Sequence, residues 1–419
     1  EDIAVQVHDC KIASMKAATT SNSNTAVIIG SACCGAVLCL LVQHLAKRKI
    51  KPKDPEVDYS IAHDTVWASI GGALKASHLY IGDRLGLYTL LREMCAEPGS
   101  SVTAIELADR SGYHRRWLRE WLAQQAAMGV MILLPGTGNE DEDLHYRLPR
   151  ATAQVLANPD SPEYDISMIS VIPSLVNRAK TMLPEAFATG KGRPYDEPEV
   201  AQGIDRHHSI EIRDIFLPII LKTANNGKAE QAMAAGCRVA DLGCGAGNLV
   251  FAMAKAYPNS RIDGYEISQQ ALSIGATNLV KAKLRNAFLI DANEDPLGNH
   301  TAEYDVITTF DVLHDSPDPA DLIRQVRQAL KPGGVWLLAD IAGKPTIRDN
   351  VSSNVAAATQ FAFSTCLCMA CSLSTDDGAG LGTLGFTVPV AEKMLREGGF
   401  ESVKVLFESK KNTRWFEVM

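Results

Sequence analysis

The 419-residue chain has no excess of basic residues: 41 Lys and Arg stand against 49 Asp and Glu, a net charge of −8. A surface built mainly to hold polyanionic nucleic acid is thereby excluded. There is no disulfide framework either. The ten cysteines are scattered, several of them in apolar runs, which is the usage of a chain kept in a reducing compartment. Aromatic residues are scarce at 6%, yet 46% hydrophobic and 21% charged residues still describe a globular protein able to bury a sizeable core. Long hydrophobic runs are missing except for one, Thr25 to Val42, which carries no charge.

That run follows a polar segment, residues 1–24, and is about as long as the shortest helices that span a bilayer, roughly 17–25 residues. Lys47-Arg48-Lys49-Ile50-Lys51-Pro52-Lys53 comes behind it. A cleaved signal peptide has its positive charges in front, so the order here is the reverse. Residues 25–53 are therefore expected to form a single-pass anchor that keeps the rest on the cytosolic, stromal or matrix side. A buried helix or a targeting remnant is the other reading.

Residues 54–150 are expected to form a small helical domain of the winged-helix kind. Ala73 to Leu91 has helical spacing. Thr103-Ala104-Ile105-Glu106 is a capping box, Gly112 makes a turn, and His114 to Met128 carries Trp117, Leu118, Trp121 and Leu122 toward one face. Val130 to Leu134 and Tyr146 to Leu148 read as a hairpin. Arg115, Arg116 and Arg119 would suit DNA, but Glu140, Asp141, Glu142 and Asp143 on the wing would face phosphates with like charge. Dimerisation and substrate covering fit better. Residues 151–236 read as a helical connector across the mouth of a sheet formed by the rest of the chain, with helices at Ser167–Leu183 and Ile210–Ala224. His207 and His208 fall just before the second of these, where either could reach a substrate; a solvated or capping role is the other reading.

From 237 to 419 strands and helices alternate, the pattern of a parallel sheet with helices on both faces. The segment that organises it is Val239-Ala240-Asp241-Leu242-Gly243-Cys244-Gly245-Ala246-Gly247, followed by Asn248 to Ala254. It reads as a strand, a glycine turn and a helix whose N-terminal N–H groups face a ligand. Asn248 stands where a dinucleotide fingerprint wants Gly or Ala. Glu266 ends the next strand, suited to ribose hydroxyls, and Asp291, with Ala292 after it, ends the third, within reach of an adenine amino group. Acids at three successive strand ends suit a nucleoside without phosphates, since a pyrophosphate would be repelled. At this point the chain resembles the class I S-adenosylmethionine-dependent methyltransferases. The resemblance implies a Rossmann-like α/β fold and S-adenosyl-L-methionine held by Asp241, Gly243, Gly245, Gly247, Glu266, Asp291 and Ala292.

The fourth strand runs from Tyr304 to Phe310 and continues as Asp311-Val312-Leu313-His314-Asp315. The Asn/Asp-Pro-Pro-aromatic loop that resembles methyltransferases acting on DNA bases is absent there. Phe310 and Asp311 are expected to wall the donor site. His314, the histidine at a strand end, is the general-base candidate, with Asp315 to orient it or cap the next turn. Cys366, Cys368 and Cys371 lie in an apolar segment and read as buried thiols, so no metal is expected. Lys331-Pro332-Gly333-Gly334 reads as a helix stop and turn before a strand at Gly334–Ala339. Strands at Ser402–Leu406 and Trp415–Val418 should close the sheet with an antiparallel edge.

With Ile81 to Tyr88, Phe310 to Asp315, Asp349-Asn350 and Ser364 to Cys368 in view, residues 60–419 are similar to the two-domain small-molecule methyltransferases. That similarity implies methyl transfer to a hydroxyl, thiol or amine by a homodimer. A non-catalytic subunit of a membrane complex that keeps the fold is the alternative.

Overall fold

The computed structural model describes residues 58–135 and 144–419. The expected anchor, residues 25–53, and the acidic wing residues 140–143 lie outside them. By its contacts the chain forms two units, residues 1–71 and 72–419. The described part of the first is the opening of a helix, Tyr59–Arg84. The second holds every described strand. Among the described residues no helix is long and apolar enough to cross a membrane.

The helix expected over Ala73–Leu91 is broken by Gly86, which takes φ +69°, and resumes at Leu87–Met94. Thr103 and Glu106 cap Ala104–Ser111 reciprocally, and Gly112 ends that helix at φ +75°. The next helix, Arg115–Ala127, is capped by the His114 ring. Leu118, Trp121 and Leu122 are buried, but Trp117 is 79% exposed; it lies about 100° round the helix from Leu118, beyond the edge of the buried stripe. Strands β1 (Ile132–Leu133) and β2 (Tyr146–Arg147) pair antiparallel, a hairpin only two residues deep.

The connector differs more from expectation. Its first part splits into a 3-10 turn at Ser167–Val171 and helices Ile172–Thr181 and Leu183–Thr189. Its second helix begins at Pro198 and runs to Glu211, so His207 and His208 lie inside it rather than before it. Proline at the first helical position costs no hydrogen bond and starts the helix, a signal that the sparse apolar periodicity of 198–209 concealed.

The main sheet has seven strands in the order β5-β4-β3-β6-β7-β9-β8. These are β3 (Arg238–Leu242), β4 (Arg261–Glu266), β5 (Ala287–Asp291), β6 (Tyr304–Phe310), β7 (Leu330–Ile341), β8 (Val403–Glu408) and β9 (Thr413–Val418). β3 to β7 pair in parallel, and β9 joins β7 antiparallel as expected. Alternate residues feed two cores. Val239, Val306, Leu337 and Trp415 lie in one, and Ala240, Ile307, Leu338 and Phe416 in the other, the burial of a sheet covered on both faces. Lys331 to Gly334 fall inside β7, where the register jumps from Tyr304–Leu330 to Val306–Val335; the turn expected there is an excursion within the strand. The strand order reverses between β3 and β6, so their carboxyl ends open a crevice.

Candidate active site

The first wall of the crevice is the turn after β3. Gly243, Gly245 and Gly247 take φ of +74°, +55° and +88°, conformations that favour glycine. A Cβ on Gly243 would meet the Val312 side chain at 2.5 Å, and one on Gly247 the Phe251 ring at 2.6 Å. At Gly245 it would meet nothing within 4 Å. Two of these glycines let neighbours pack, and the third leaves room above the backbone. The turn is tied to β4, for the Gly243 and Cys244 N–H groups both donate to the Tyr265 carbonyl, at 2.8 and 3.0 Å.

Glu266 ends β4 and faces this turn. Its carboxylate accepts from the N–H groups of Gly245 at 2.8 Å and of Ile267 and Ser268 at 2.9 Å. Burial pushes its pKa up while those three donors work against the rise. Asp291 ends β5 beside Glu266 in register. It accepts from the Asn293 backbone and side chain and from Gln269, which hold it below the usual range. Ala292 donates to the Glu266 carbonyl at 2.9 Å, between the two strand ends. Asp241 is 3% exposed and accepts from the Thr308 hydroxyl at 2.6 Å. Burial pushes it up to about 7.

Sequence reasoning missed a fourth acid. Asp205, from the connector helix, is pushed up to about 6 by burial. Asn248, at the start of the helix after the glycine turn, donates its side-chain amide to the Asp205 carbonyl at 2.9 Å. Burial, and after it the charges of Glu266, Asp241 and Asp205, push the Cys244 thiol up. Glu266 meets the turn at Gly245, Asp241 precedes it near the end of β3, and Asp205 meets the helix after it through Asn248.

The second wall begins at Phe310, the end of β6. His208 stacks on its ring at 3.9 Å and 7°, and the His208 Nε2 meets Asp311 Oδ2 at 3.0 Å. Asp311 itself takes φ +56°, a sparsely populated conformation for a residue with a Cβ. Burial would raise its pKa, but the His208 contact and charge bring it below the usual range. His207 is pushed down to about 4 by burial and stays neutral.

His314 is 2% exposed. Its Nδ1 lies 2.7 Å from Asp340 Oδ1, at the end of β7. Its Nε2 lies 3.2 Å from Asp315 Oδ1 but outside hydrogen-bonding alignment, and that oxygen has no partner. The other Asp315 oxygen accepts from the Tyr195 hydroxyl at 2.6 Å. Burial opposes charge on the imidazole, yet Asp340 and Asp315 outweigh it and hold His314 well above the ordinary histidine range. Asp311 Oδ1 and Asp340 Oδ2 are likewise buried without partners. Asp340 and Tyr195 were not singled out for this site by sequence reasoning; His208, one of the two histidines expected to be able to reach a substrate, does lie in it. The strand-end position of Asp340 is a signal that could have found it; Tyr195 offers none.

The connector does cross the mouth of the sheet. Arg178, fully buried, donates to the carbonyls of Arg193 at 2.6 Å, Pro194 at 3.2 Å and Cys366 at 2.6 Å. It also pairs with Glu197 at 3.2 Å. The loop so held sends Tyr195 to Asp315 and Asp196 to the Ser268 hydroxyl, reaching both walls. The three cysteines do not form a metal cluster among the described residues. The two groups whose ligand atoms lie within 4.8 Å of one another are His314–Asp315–Cys368 and Asp311–His314–Asp340, and both centre on His314.

Residues 240–336 match a family model described as a methyltransferase domain. This stretch is a methyltransferase domain. Its sequence is 33% identical over 107 residues to the ubiquinone biosynthesis O-methyltransferase of Thiobacillus denitrificans, covering 26% of this chain and 45% of that one. The chain thus spans about half the length of the curated relatives it matches. Solved structures extend the likeness of fold beyond the methyltransferase domain. Human N-acetylserotonin methyltransferase, solved with S-adenosylmethionine, superposes with a TM-score of 0.61 at 15% identity, over 88% of this chain and 98% of its own. Mitomycin 7-O-methyltransferase does so with 0.57 at 20%, over 86% and 98%. The sheet around the methyltransferase domain is therefore the class I methyltransferase fold.

Proposed function

We propose that the protein transfers a methyl group from S-adenosyl-L-methionine to a hydroxyl of a small molecule. The observation that carries this is a glycine turn with open space at Gly245, met by Glu266 on one side, preceded by Asp241 and followed by the helix whose Asn248 holds Asp205. Buried acids this close are costly unless a cation joins them, and the donor brings an ammonium and a sulfonium. Its sulfonium makes the methyl group electrophilic. The chain supplies the rest. Glu266, already fixed by three backbone donors, is placed for the ribose hydroxyls, with Asp291 and Ala292 beside the adenine position. Phe310 and Asp311 wall the donor. On the second wall His314 is the proton acceptor. Asp340 on Nδ1 fixes its tautomer and leaves Nε2 for the acceptor hydroxyl. Asp315 is held beside it by Tyr195. The connector excludes water from the space between. The matched relatives are named as O-methyltransferases, which favours catalysis over an accessory role.

Calorimetric titration of S-adenosylmethionine and S-adenosylhomocysteine tests the donor site. Micromolar binding is expected, weakened roughly tenfold to a hundredfold by Glu266→Ala, as for loss of a charged hydrogen bond. Absence of binding by the folded protein would overturn the reading.

For the remainder we propose a single membrane anchor at residues 25–42, with the folded part on the cytosolic, stromal or matrix side, and pairing of two copies through the winged-helix domain. The charge-free run and the basic cluster behind it support the first. The exposure of Leu74 and Trp117, at 60% and 79%, supports the second. Release by carbonate washing would remove the anchor, and a monomer mass in sedimentation would remove the pairing.

A further inference from the structure

We infer that His314, Asp315 and Cys368 form a binding site for a thiophilic divalent cation of the zinc class. Once bound, the cation takes the general base out of use; that effect, though not the binding, rests on the methyl-transfer reading. The ligand atoms are an imidazole nitrogen, a carboxylate oxygen and a thiol sulfur, all within 4.8 Å of one another. His314 offers Nε2 on this side, 3.2 Å from Asp315 Oδ1. In a tetrahedral zinc site, bonds of about 2.0–2.2 Å to nitrogen and oxygen set two such atoms about 3.3 Å apart. Sulfur, bound at about 2.3 Å, stands about 3.5 Å from each, so the thiol has little more than about 1 Å to close.

The three are also held as ligands need to be. On the far side of the ring Nδ1 meets Asp340 Oδ1 at 2.7 Å, and that oxygen accepts from the Ile341 N–H at 2.7 Å. A carboxylate behind an imidazole aims the other nitrogen at a metal. Tyr195 donates to Asp315 Oδ2 at 2.6 Å, which leaves Oδ1 toward the ring. Cys368 ends the π-helical turn Ser364–Cys368, and its segment is pinned to the His314 loop twice. The Ser372 hydroxyl donates to the Ser316 carbonyl at 2.8 Å, and the Gly382 N–H to the His314 carbonyl at 3.1 Å. Cysteine spacing does not report the site, because two of its ligands come from the loop after β6. At rest Asp315 pairs with the protonated ring. The cation replaces that proton and the thiol proton, so two protons leave as one divalent ion enters and the net charge is unchanged. Imidazole and thiolate favour zinc over magnesium. With Nε2 bound, the ring has no lone pair for the proton of an acceptor.

Cobalt(II), a spectroscopic stand-in for zinc, tests the site on the full chain. Titration should raise a thiolate-to-cobalt absorption band that zinc displaces and magnesium does not. Cys368→Ser should lose the part of the band that saturates at one ion per chain, and weaken zinc binding by about a hundredfold or more. Asp340→Asn should keep that band and weaken binding by about tenfold to a hundredfold. Unchanged affinity for S-adenosylmethionine would show that Cys368→Ser is folded. No band, or one of equal strength in Cys368→Ser (an adventitious ion on other thiols), would overturn the site. With catechol, phenol and guaiacol offered together, zinc should lower methylated product by about a hundredfold, the worth of a positioned base, and spare Cys368→Ser. Equal inhibition of both proteins, or cobalt binding at Cys368 without inhibition by zinc, would overturn the effect on the base. Methylation of none of the three by donor-loaded protein would count against methyl transfer and leave the site standing.

Discussion

The two walls of the crevice are made in opposite ways. The donor wall is local. Gly245 and Glu266, its central pair, are 21 residues apart, and the glycine turn, Glu266 and Asp291 hang from three adjacent parallel strands. Backbone N–H groups do most of the holding. The acceptor wall is assembled from afar by side chains: Tyr195 meets Asp315 across 120 residues, and Arg178, which holds the Tyr195 loop, reaches the Cys366 carbonyl across 188. A wall of backbone geometry can bind an invariant ligand, while a wall of side chains on separate elements can be varied one residue at a time.

The largest expected effect breaks the second wall alone. His314→Ala should lower kcat by about 10²–10⁴-fold, the usual worth of a positioned base, with donor affinity within about twofold. A comparable loss of donor binding would show the walls to be one site energetically. Gly245→Val attacks the first wall. No neighbour lies within 4 Å of a Cβ there, so the space for the donor is filled without a clash, although φ +55° strains a β-branched residue and lowers the melting temperature somewhat. Donor affinity should fall roughly a hundredfold or more, about 3 kcal/mol, in calorimetry below the melting temperature of the variant.

The walls should also differ in pH response. Asp241 and Asp205 titrate near 7 and 6 in the folded protein, above the ordinary carboxyl range. A cationic donor favours their ionised forms. Affinity for S-adenosylmethionine should therefore rise as pH goes from 5 toward 7, by up to about tenfold per unit per group, and level off above. The neutral thioether product should show a weaker rise, and equal slopes for both would remove the role given to these acids. The base works in the opposite range. His314 is held above its ordinary pKa by Asp340 and Asp315, so kcat should climb on the alkaline side of neutrality. Asp340→Asn should move that limb to lower pH. The smallest effect belongs to neither wall: Trp117→Ser should change monomer stability by no more than about 0.5 kcal/mol, and loss of a dimer band on sedimentation would assign Trp117 to the pairing surface.

The same contrast explains what could be read from sequence. Val239 to Ala254, Glu266 and Asp291 were legible because apolar runs, glycines and strand-end acids report their geometry within a few residues. Thr103 and Glu106 announced a cap for the same reason. His314 was legible as a histidine at a strand end, but its orienting Asp340 and the hydroxyl of Tyr195 were not, since only the closed sheet and the connector loop bring them there. His207 and His208 lie inside a helix that the weak apolar periodicity of residues 198–209 does not report, its local start signal being Pro198 alone. Trp117 was placed on the buried stripe by spacing alone, which cannot register where a stripe ends.

Arg178 carries one more consequence. Its contact with the Cys366 carbonyl closes a loop of 188 residues, against 21 for Gly245 and Glu266. The chain entropy lost on closure grows with the logarithm of length, a difference of about 2 kcal/mol between the two. The catalytic half should therefore be the last to assemble and the first to open. Amide exchange at residues 190–197 is expected to outpace that at 243–247 under native conditions, and the reverse order would refute it. On warming, the molecule would then lose its choice of acceptor before it loses its grip on the donor.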